Sequence, residues 1–389
     1  MPATFGIVDL FAGPGGLGEG FASLDVGGQH PFRIGISVEK EASAHRTLRL
    51  RAFLRDHVSR HGALPEAFVK FHATLTEEPD WSEVDATAWT EATTEARCLE
   101  LGSDAAATAI DEAIGRLQQS FDDTILIGGP PCQAYSLVGR ARSRGKTDYV
   151  PEEDHRHYLF REYIRVLDRL RPAAFVMENV KGMLSSAVES RLVFEMLMED
   201  LASLGTGHGH HYELRAIRLV DGMATLQEAA QPSDFIVRAE QFGVPQRRHR
   251  VIIVGIRSDL AERAVGATIS VSGPTRTVDE TIGNMPPLRS GISRASDAAE
   301  AWRKEVAGFA KLLAKISKGD EDGTLASEFR EIREALKHGA ETRRSSSMLP
   351  AAYGTSNDDL MRWLERPGLH ALAQHETRGH MATDLGRYL

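Results

Sequence analysis

Cysteine is nearly absent. Only Cys98 and Cys132 occur among 389 residues, which excludes a disulfide framework and a cysteine-rich zinc site and leaves any reactive thiol to act alone. No metal partner is expected. Long apolar runs are missing too: no stretch approaches the roughly 18 residues of a membrane span. The opening MPATFGIVDLF has neither a basic n-region nor a cleavable apolar segment. The expected setting is the cytoplasm, with no membrane partner. The net charge of −9 argues against a generally basic surface for nucleic acid, but the charge is unevenly spread, residues 77–123 holding thirteen acids and two arginines. Basic residues gather in two short stretches, Arg140, Arg142, Arg144 and Lys146 in GRARSRGK and Arg247, Arg248 and Arg250 in QRRHRV. Each reads at the least as a solvated loop.

What is present is a large globular chain with 42% hydrophobic residues, long enough for one big domain with insertions or for two domains. Short β-rich runs recur: FGIVDLF at 5, FRIGISVE at 32, DTILIGG at 123, AAFVMENV at 173, DFIVRAEQFG at 234 and RVIIVGI at 250. Helix-period stretches separate most of them. Residues 157–171 put Leu159, Phe160, Tyr163, Ile164, Val166, Leu167 and Leu170 on one apolar face, and 191–205 end at a glycine stop. This alternation predicts an α/β fold with a doubly wound, mostly parallel sheet, in which ligands gather outside the carboxyl ends of the strands. The short VPQRRH link between the last two runs predicts an antiparallel hairpin at one edge. Residues 291–350 are polar and helix-prone, without a recognisable chemical motif.

The stretch DLFAGPGGLGEGF at 9–21 satisfies G-x-G-x-x-G at Gly13, Gly15 and Gly18. Such a turn needs glycines for any nucleoside cofactor, because only a backbone without Cβ takes positive φ freely and lets a ligand approach closely. A second constellation is GGPPCQAYSLVGR at 128–140, in which two prolines fix the backbone just before Cys132. A structural cysteine normally sits inside an apolar run. Here it stands at a strand's carboxyl end, in a rigid turn followed by a polar, glycine-containing loop, where a nucleophile would be exposed.

Taken in order, DLFAGPGGLGEGF, VEK at 38, GGPPCQAYS, MENVKGML at 177 and GVPQRRHRVIIVGIR at 243 resemble the successive motifs of the DNA cytosine-5 methyltransferases over roughly residues 5–289. The resemblance implies a Rossmann-like methyltransferase fold with S-adenosylmethionine as cofactor and double-stranded DNA as substrate. The catalytic domain would span 1–290, with an insertion at about 50–122, and 291–389 would be a helical segment leading towards a recognition domain. Phe11, Ala12, Gly13, Gly15, Glu39, Pro131 and Leu159 would line the cofactor pocket, Glu39 accepting from the ribose hydroxyls. Cys132 would add to carbon 6 of cytosine, since carbon 5 is too poor a nucleophile to attack a sulfonium methyl unaided. Glu178 would hydrogen-bond or protonate N3. Arg248 and Arg250, in the family's Q-x-R-x-R block, would contact the base carbonyl and phosphate. Gln133, Ser136, Asn179 and Val180 would contact the DNA or the flipped base, which must leave the stack for this chemistry. The acid that meets the adenine amino group is left open among the several aspartates of the 77–123 insertion.

Two other readings stand beside this one. A nicotinamide oxidoreductase explains the glycine loop but leaves PPCQAYS, ENV and QRRHR without a task. A non-catalytic fragment or subunit is suggested by what is missing: after the arginine block the family shows a target-recognition region, then blocks resembling R-x-L-T-x-R-E-x-A-R-L-Q-x-F-P and G-N-A/S-V, and none is found here. On this reading a second polypeptide carries those blocks, and the chain alone binds DNA without sequence preference and methylates it poorly.

Overall fold

The computed structural model describes residues 3–131, 159–185, 187–188, 191–203, 211–271, 275–317, 324–338, 343–351, 353–356, 358–366 and 368–389. These residues divide into two compact units, Met1–Ala63 with Trp81–Val278 and Leu64–Asp80 with Asp279–Leu389.

The first unit is built on β1 (Phe5–Leu10), α1 (Gly16–Ala22), β2 (Phe32–Glu39) and α2 (Ala42–His61). After α3 (Glu66–Thr74), which belongs to the second unit, it resumes with α4 (Trp81–Val84), α5 (Ala86–Glu95), β3 (Ala96–Cys98), α6 (Asp104–Ser120) and β4 (Asp123–Gly128). Then come α7 (Leu159–Leu170), β5 (Ala174–Val180), the small pair β6 (Ala187–Val188) and β7 (Arg191–Leu192), and α8 (Val193–Ser203). The strands β3, β2, β1, β4 and β5 lie side by side in that order, every pairing parallel. Parallel strands need both faces covered, and their sequences read accordingly as near-continuous apolar runs. On one face, Ile110, Ile114 and Leu117 of α6 and Tyr163, Val166, Leu167 and Leu170 of α7 pack on Val8, Leu10, Ile36, Val38 and Leu126. The opposite face sets Leu17 and Phe21 of α1 against Ile7, Ile125 and Ile127. Each such side chain, fully buried, contributes about 1.5–3 kcal/mol. The fold is therefore a doubly wound α/β sheet, and the helix expected over 157–171 is observed as Leu159–Leu170 with the anticipated face buried.

Beyond β5 the sheet turns antiparallel through β8 (Tyr212–Val220), β9 (Met223–Gln227), β10 (Ile236–Arg238), β11 (His249–Arg257) and β12 (Thr268–Ser270), in the order β5-β11-β8-β9-β12 with β10 beside β11. The expected antiparallel hairpin thus exists, but not at an edge: β11 lies between β5 and β8. Val251, Ile253, Val254 and Ile256 are all buried on it, a pattern that requires neighbours on both sides. The β8–β9 hairpin was not anticipated. Its signal is Asp221-Gly222, both with positive φ (49° and 75°), the backbone of a two-residue turn whose twist matches the strands it joins.

The second unit is mainly helical. Its longest helices, Ala299–Ile316 and Thr324–His338, share a core of Val306, Leu336 and Leu385 with Trp302 packed against it, and the strands β13 (Gly291–Ile292) and β14 (Gly379–His380) pair in parallel. No helix among the described residues is long and apolar enough to cross a membrane.

At the carboxyl end of β4 the chain has no room for a side chain. A Cβ on Gly128 would stand 2.5 Å from the Leu10 carbonyl oxygen of β1 and 3.2 Å from the Tyr163 ring. Because the nearest atom is backbone, relief requires the strands to part. Gly128→Ala is expected to cost about 1–3 kcal/mol, as overpacking does, and to lower the thermal midpoint by about 3 °C or more. Calorimetry that shows an unchanged midpoint would contradict this packing.

Candidate active site

The three glycines of the G-x-G-x-x-G stretch serve different purposes. Gly13 and Gly15 take φ of 56° and 89°, the left-handed region that glycine adopts without strain, and Gly15 sits at the start of α1. Gly18 is φ-normal but crowded: a Cβ there would meet the Asp9 carboxylate at 2.8 Å and Ile34 at 3.0 Å. Phe11, also with positive φ (57°), is half-buried against the core. The Ala12 N–H donates to the Val38 carbonyl at 3.1 Å. Glu39, ending β2, accepts from the Gly13 N–H at 2.8 Å and the Glu41 N–H at 2.6 Å. One carboxylate thus latches the loop to the next strand, and each oxygen retains a lone pair for a further donor. This open loop before a helix N-terminus, with an accepting carboxylate at the neighbouring strand end, fits a nucleoside cofactor with free ribose hydroxyls.

Beneath the loop lies an acid the motif reading left unassigned. Asp9 is 1% exposed, and neither carboxyl oxygen has a hydrogen-bond partner among the described residues; Ser37, its partner in the β1–β2 register, is equally buried and its hydroxyl is equally unpartnered among them. Burial pushes the Asp9 carboxyl well up, the charges of Glu95 and Glu39 add to the rise, and only Arg55 opposes it. Arg55 meanwhile serves others. Its Nη2 donates to both Glu95 oxygens at 2.6 and 2.7 Å and its Nη1 to Glu19 at 3.1 Å. Burial raises Glu95 as well, despite the pull of Arg55.

The remaining site residues converge where β4 and β5 end. Glu178, near the end of β5, holds its carboxylate over Gly129, where a Cβ would stand 3.0 Å from Oε2. Arg250 of β11 lies diagonally across from it in the antiparallel register, with Nε 2.7 Å from Glu178 Oε1. The contact is ionic, since the Nε–H is not aimed as a hydrogen bond. Asn179 points the other way: buried, it donates from Nδ2 to the Pro130 carbonyl at 2.9 Å and accepts the Val180 N–H at 2.9 Å. Its amide therefore ties the prolyl turn to β5. Pro131 and the side chain of Val180 remain partly exposed at the same end. Arg248 is exposed, with no side-chain partner among the described residues, and its carbonyl accepts from the Ala239 N–H at 3.1 Å. Leu159 is the half-buried first residue of α7. Cys132, Gln133, Ser136 and the cations at 140–146 lie outside the described residues.

Glu100 escaped the sequence reading. It stands two residues past β3, ion-paired to Lys40 at 2.5 Å just past β2, and so joins the same sheet end. A three-residue strand carries too little alternation to be recognised beforehand.

The Asp9 environment has a measurable consequence. A carboxyl raised in the fold binds its proton above the unfolded value of about 3.9, so the native state holds more protons than the unfolded one and stability falls as pH rises through that window. Asparagine cannot ionise. The thermal midpoint of Asp9→Asn relative to the parent is expected to climb as pH rises from 5 to 8, in differential scanning calorimetry at matched ionic strength. An offset that stays constant with pH would show that Asp9 titrates normally.

The model for the C-5 cytosine-specific DNA methylase family matches residues 104–359. Among curated relatives, the Type II methyltransferase M.Bpa9945I of Bacillus paralicheniformis is 30% identical over 276 residues, covering 65% of this chain and 54% of that protein. The DNA (cytosine-5-)-methyltransferase M.ApeKI of Aeropyrum pernix is 35% identical over 147 residues, covering 36% and 28% respectively. Type II methyltransferase M.DdeI of Desulfomicrobium norvegicum is 30% identical over 186 residues, covering 46% and 36%. The chain thus spans about half, or less, of the length of these relatives. Since the family match covers well over half of the chain and takes in Cys132, Glu178 and Arg250, the protein belongs to the C-5 cytosine-specific DNA methylase family.

Proposed function

We propose that this chain transfers a methyl group from S-adenosylmethionine to carbon 5 of a cytosine flipped out of double-stranded DNA, as the modifying activity of a restriction-modification system. The observation that carries the proposal is the juxtaposition of Glu178, paired with Arg250, over Gly129, three residues before Cys132. The bound cofactor would supply a methyl group activated on a sulfonium. The glycine loop and Glu39 would hold it, Glu39 keeping its grip on Gly13 while accepting a ribose hydroxyl. Glu100 is the proposed partner of the adenine amino group.

On the base, the Cys132 thiolate adds to carbon 6, while Glu178 stabilises the electron density pushed towards N3 by hydrogen bonding or proton donation. Carbon 5, now enamine-like, would take the methyl group as the sulfonium's carbon–sulfur bond breaks, leaving a neutral thioether. Transfer of the carbon 5 proton to a base such as water would then let the Cys132 thiolate leave and restore the ring. Arg250 orients the Glu178 carboxyl, and Arg248, unengaged by any described side chain, is available to the base carbonyl or a phosphate. Asn179 acts less on DNA than on the protein itself, holding the turn that presents Cys132.

Two measurements test this. Incubated with S-adenosylmethionine and duplex DNA containing 5-fluorocytosine, where fluorine blocks elimination, the protein is expected to form an adduct that survives denaturing electrophoresis and is lost in Cys132→Ala; an adduct that persists in the variant contradicts the assignment. Glu178→Gln is expected to slow adduct formation by roughly 10²-fold or more with cofactor affinity little changed in equilibrium dialysis. A parental rate in that variant would remove Glu178 from the chemistry.

A further inference from the structure

A second group of chemically capable side chains lies on α2 and α5. His57 and His61 stand one helical turn apart on the last turns of α2, and Asp85 caps the N-terminus of α5 through its carboxylate, which accepts the Ala88 N–H at 3.0 Å. The other carboxylate oxygen serves both histidines: Asp85 Oδ2 is 2.8 Å from His57 Nδ1 and 3.1 Å from His61 Nε2. The two nitrogens and the oxygen all fall within 4.8 Å of one another, and the imidazole rings are 4.4 Å apart.

We propose that His57, His61 and Asp85 form a binding site for a divalent transition-metal ion, with Zn²⁺ the best match, that staples the end of α2 to the start of α5. Two imidazoles and one carboxylate form a borderline donor set that suits zinc, cobalt or nickel rather than calcium or magnesium. Zinc bonds to nitrogen and oxygen of about 2.0–2.2 Å place tetrahedral ligands about 3.4 Å apart, so the nitrogen–oxygen separations of 2.8 and 3.1 Å need to open by about half an ångström. A cation would then replace the protons that now lie between the carboxylate and the rings.

The surroundings favour a fixed site over a chance surface pair. His57 and Asp85 are 13% and 11% exposed, and His57 stacks on Phe53, which is itself packed against Trp81 and Trp89. The N-cap hydrogen bond fixes the carboxylate. His61 is 55% exposed, leaving the fourth ligand position to water. The two helices are also joined by Arg55, two residues before His57, and Glu95 at the other end of α5, and α2 also supplies Leu48, which would stand 2.8 Å from a Cβ on Gly15 of the glycine loop. A metal here would brace the helices behind that loop and take no part in the chemistry at Glu178. The cysteine count gave no sign of it, because the donors are histidine and aspartate.

The test uses the full chain, stripped with a chelator and titrated with Co²⁺. The expected result is one ion per chain, visible d–d absorption of low symmetry, displacement by Zn²⁺ and a raised thermal midpoint. Asp85→Asn, which can still cap the helix, and His61→Asn, a change at an exposed position, should each weaken Co²⁺ binding by about tenfold or more, while His30→Asn should leave it unchanged. Stoichiometric binding that is lost in both variants supports the site. It is overturned if the parent binds no Co²⁺ stoichiometrically, or if binding persists undiminished in the two variants.

Discussion

The site depends on how closely the ends of three strands approach. Gly128 sits against the backbone of β1 and Gly129 beneath the carboxylate of β5, so the chain leaving β4 runs between its neighbours with no side chain of its own for two residues. Pro130 and Pro131 then remove two backbone donors and fix φ, and Asn179 catches the Pro130 carbonyl. The acid and the turn that leads to Cys132 are thereby set by backbone packing rather than by flexible side chains. Such preorganisation would serve the proposed reaction, in which Glu178 acts at N3 as Cys132 adds to carbon 6.

The cofactor side of the sheet follows the same economy. Glu39 closes the loop by accepting backbone N–H groups, so the residue proposed to bind a ribose also holds the loop proposed to receive the rest of the cofactor. Below it, Arg55 is ion-paired to Glu95 and Glu19, and its charge also favours ionisation of the buried Asp9. Acids are costly to bury without matched cations, and burial with the charges of Glu95 and Glu39 pushes the Asp9 carboxyl, which has no hydrogen-bond partner among the described residues, well up. A cationic sulfonium would find a favourable electrostatic environment above it.

Much of this was legible in the sequence because the parallel strands read as uninterrupted apolar runs and the chemical residues stand at their ends. The glycine loop, Glu39, Glu178 and the arginine pair could all be placed from their neighbours alone. The antiparallel half was harder to read. β10 is three residues long, β8 is only partly buried along its length, and the Asp221-Gly222 turn signal lay between strands too polar to stand out. Asn179 is expected from its place beside Glu178 to contact the DNA or the flipped base, and its burial beside Pro130 is a tertiary fact that no local pattern encodes. Asp9 and the His57–His61–Asp85 group share that property: each depends on what α2 and α5 bring from distant sequence.

Gly129 leaves room for the Glu178 carboxylate to lie against the prolyl turn, where a Cβ would stand 3.0 Å from Oε2. The most direct measurement is the rate of covalent adduct formation by Gly129→Ala on 5-fluorocytosine DNA, set beside its affinity for S-adenosylmethionine. A methyl group there must displace the carboxyl by a few tenths of an ångström, and misplacement on that scale is expected to slow the adduct by about tenfold or more while cofactor affinity stays within about twofold. An adduct formed at the parental rate would contradict the account.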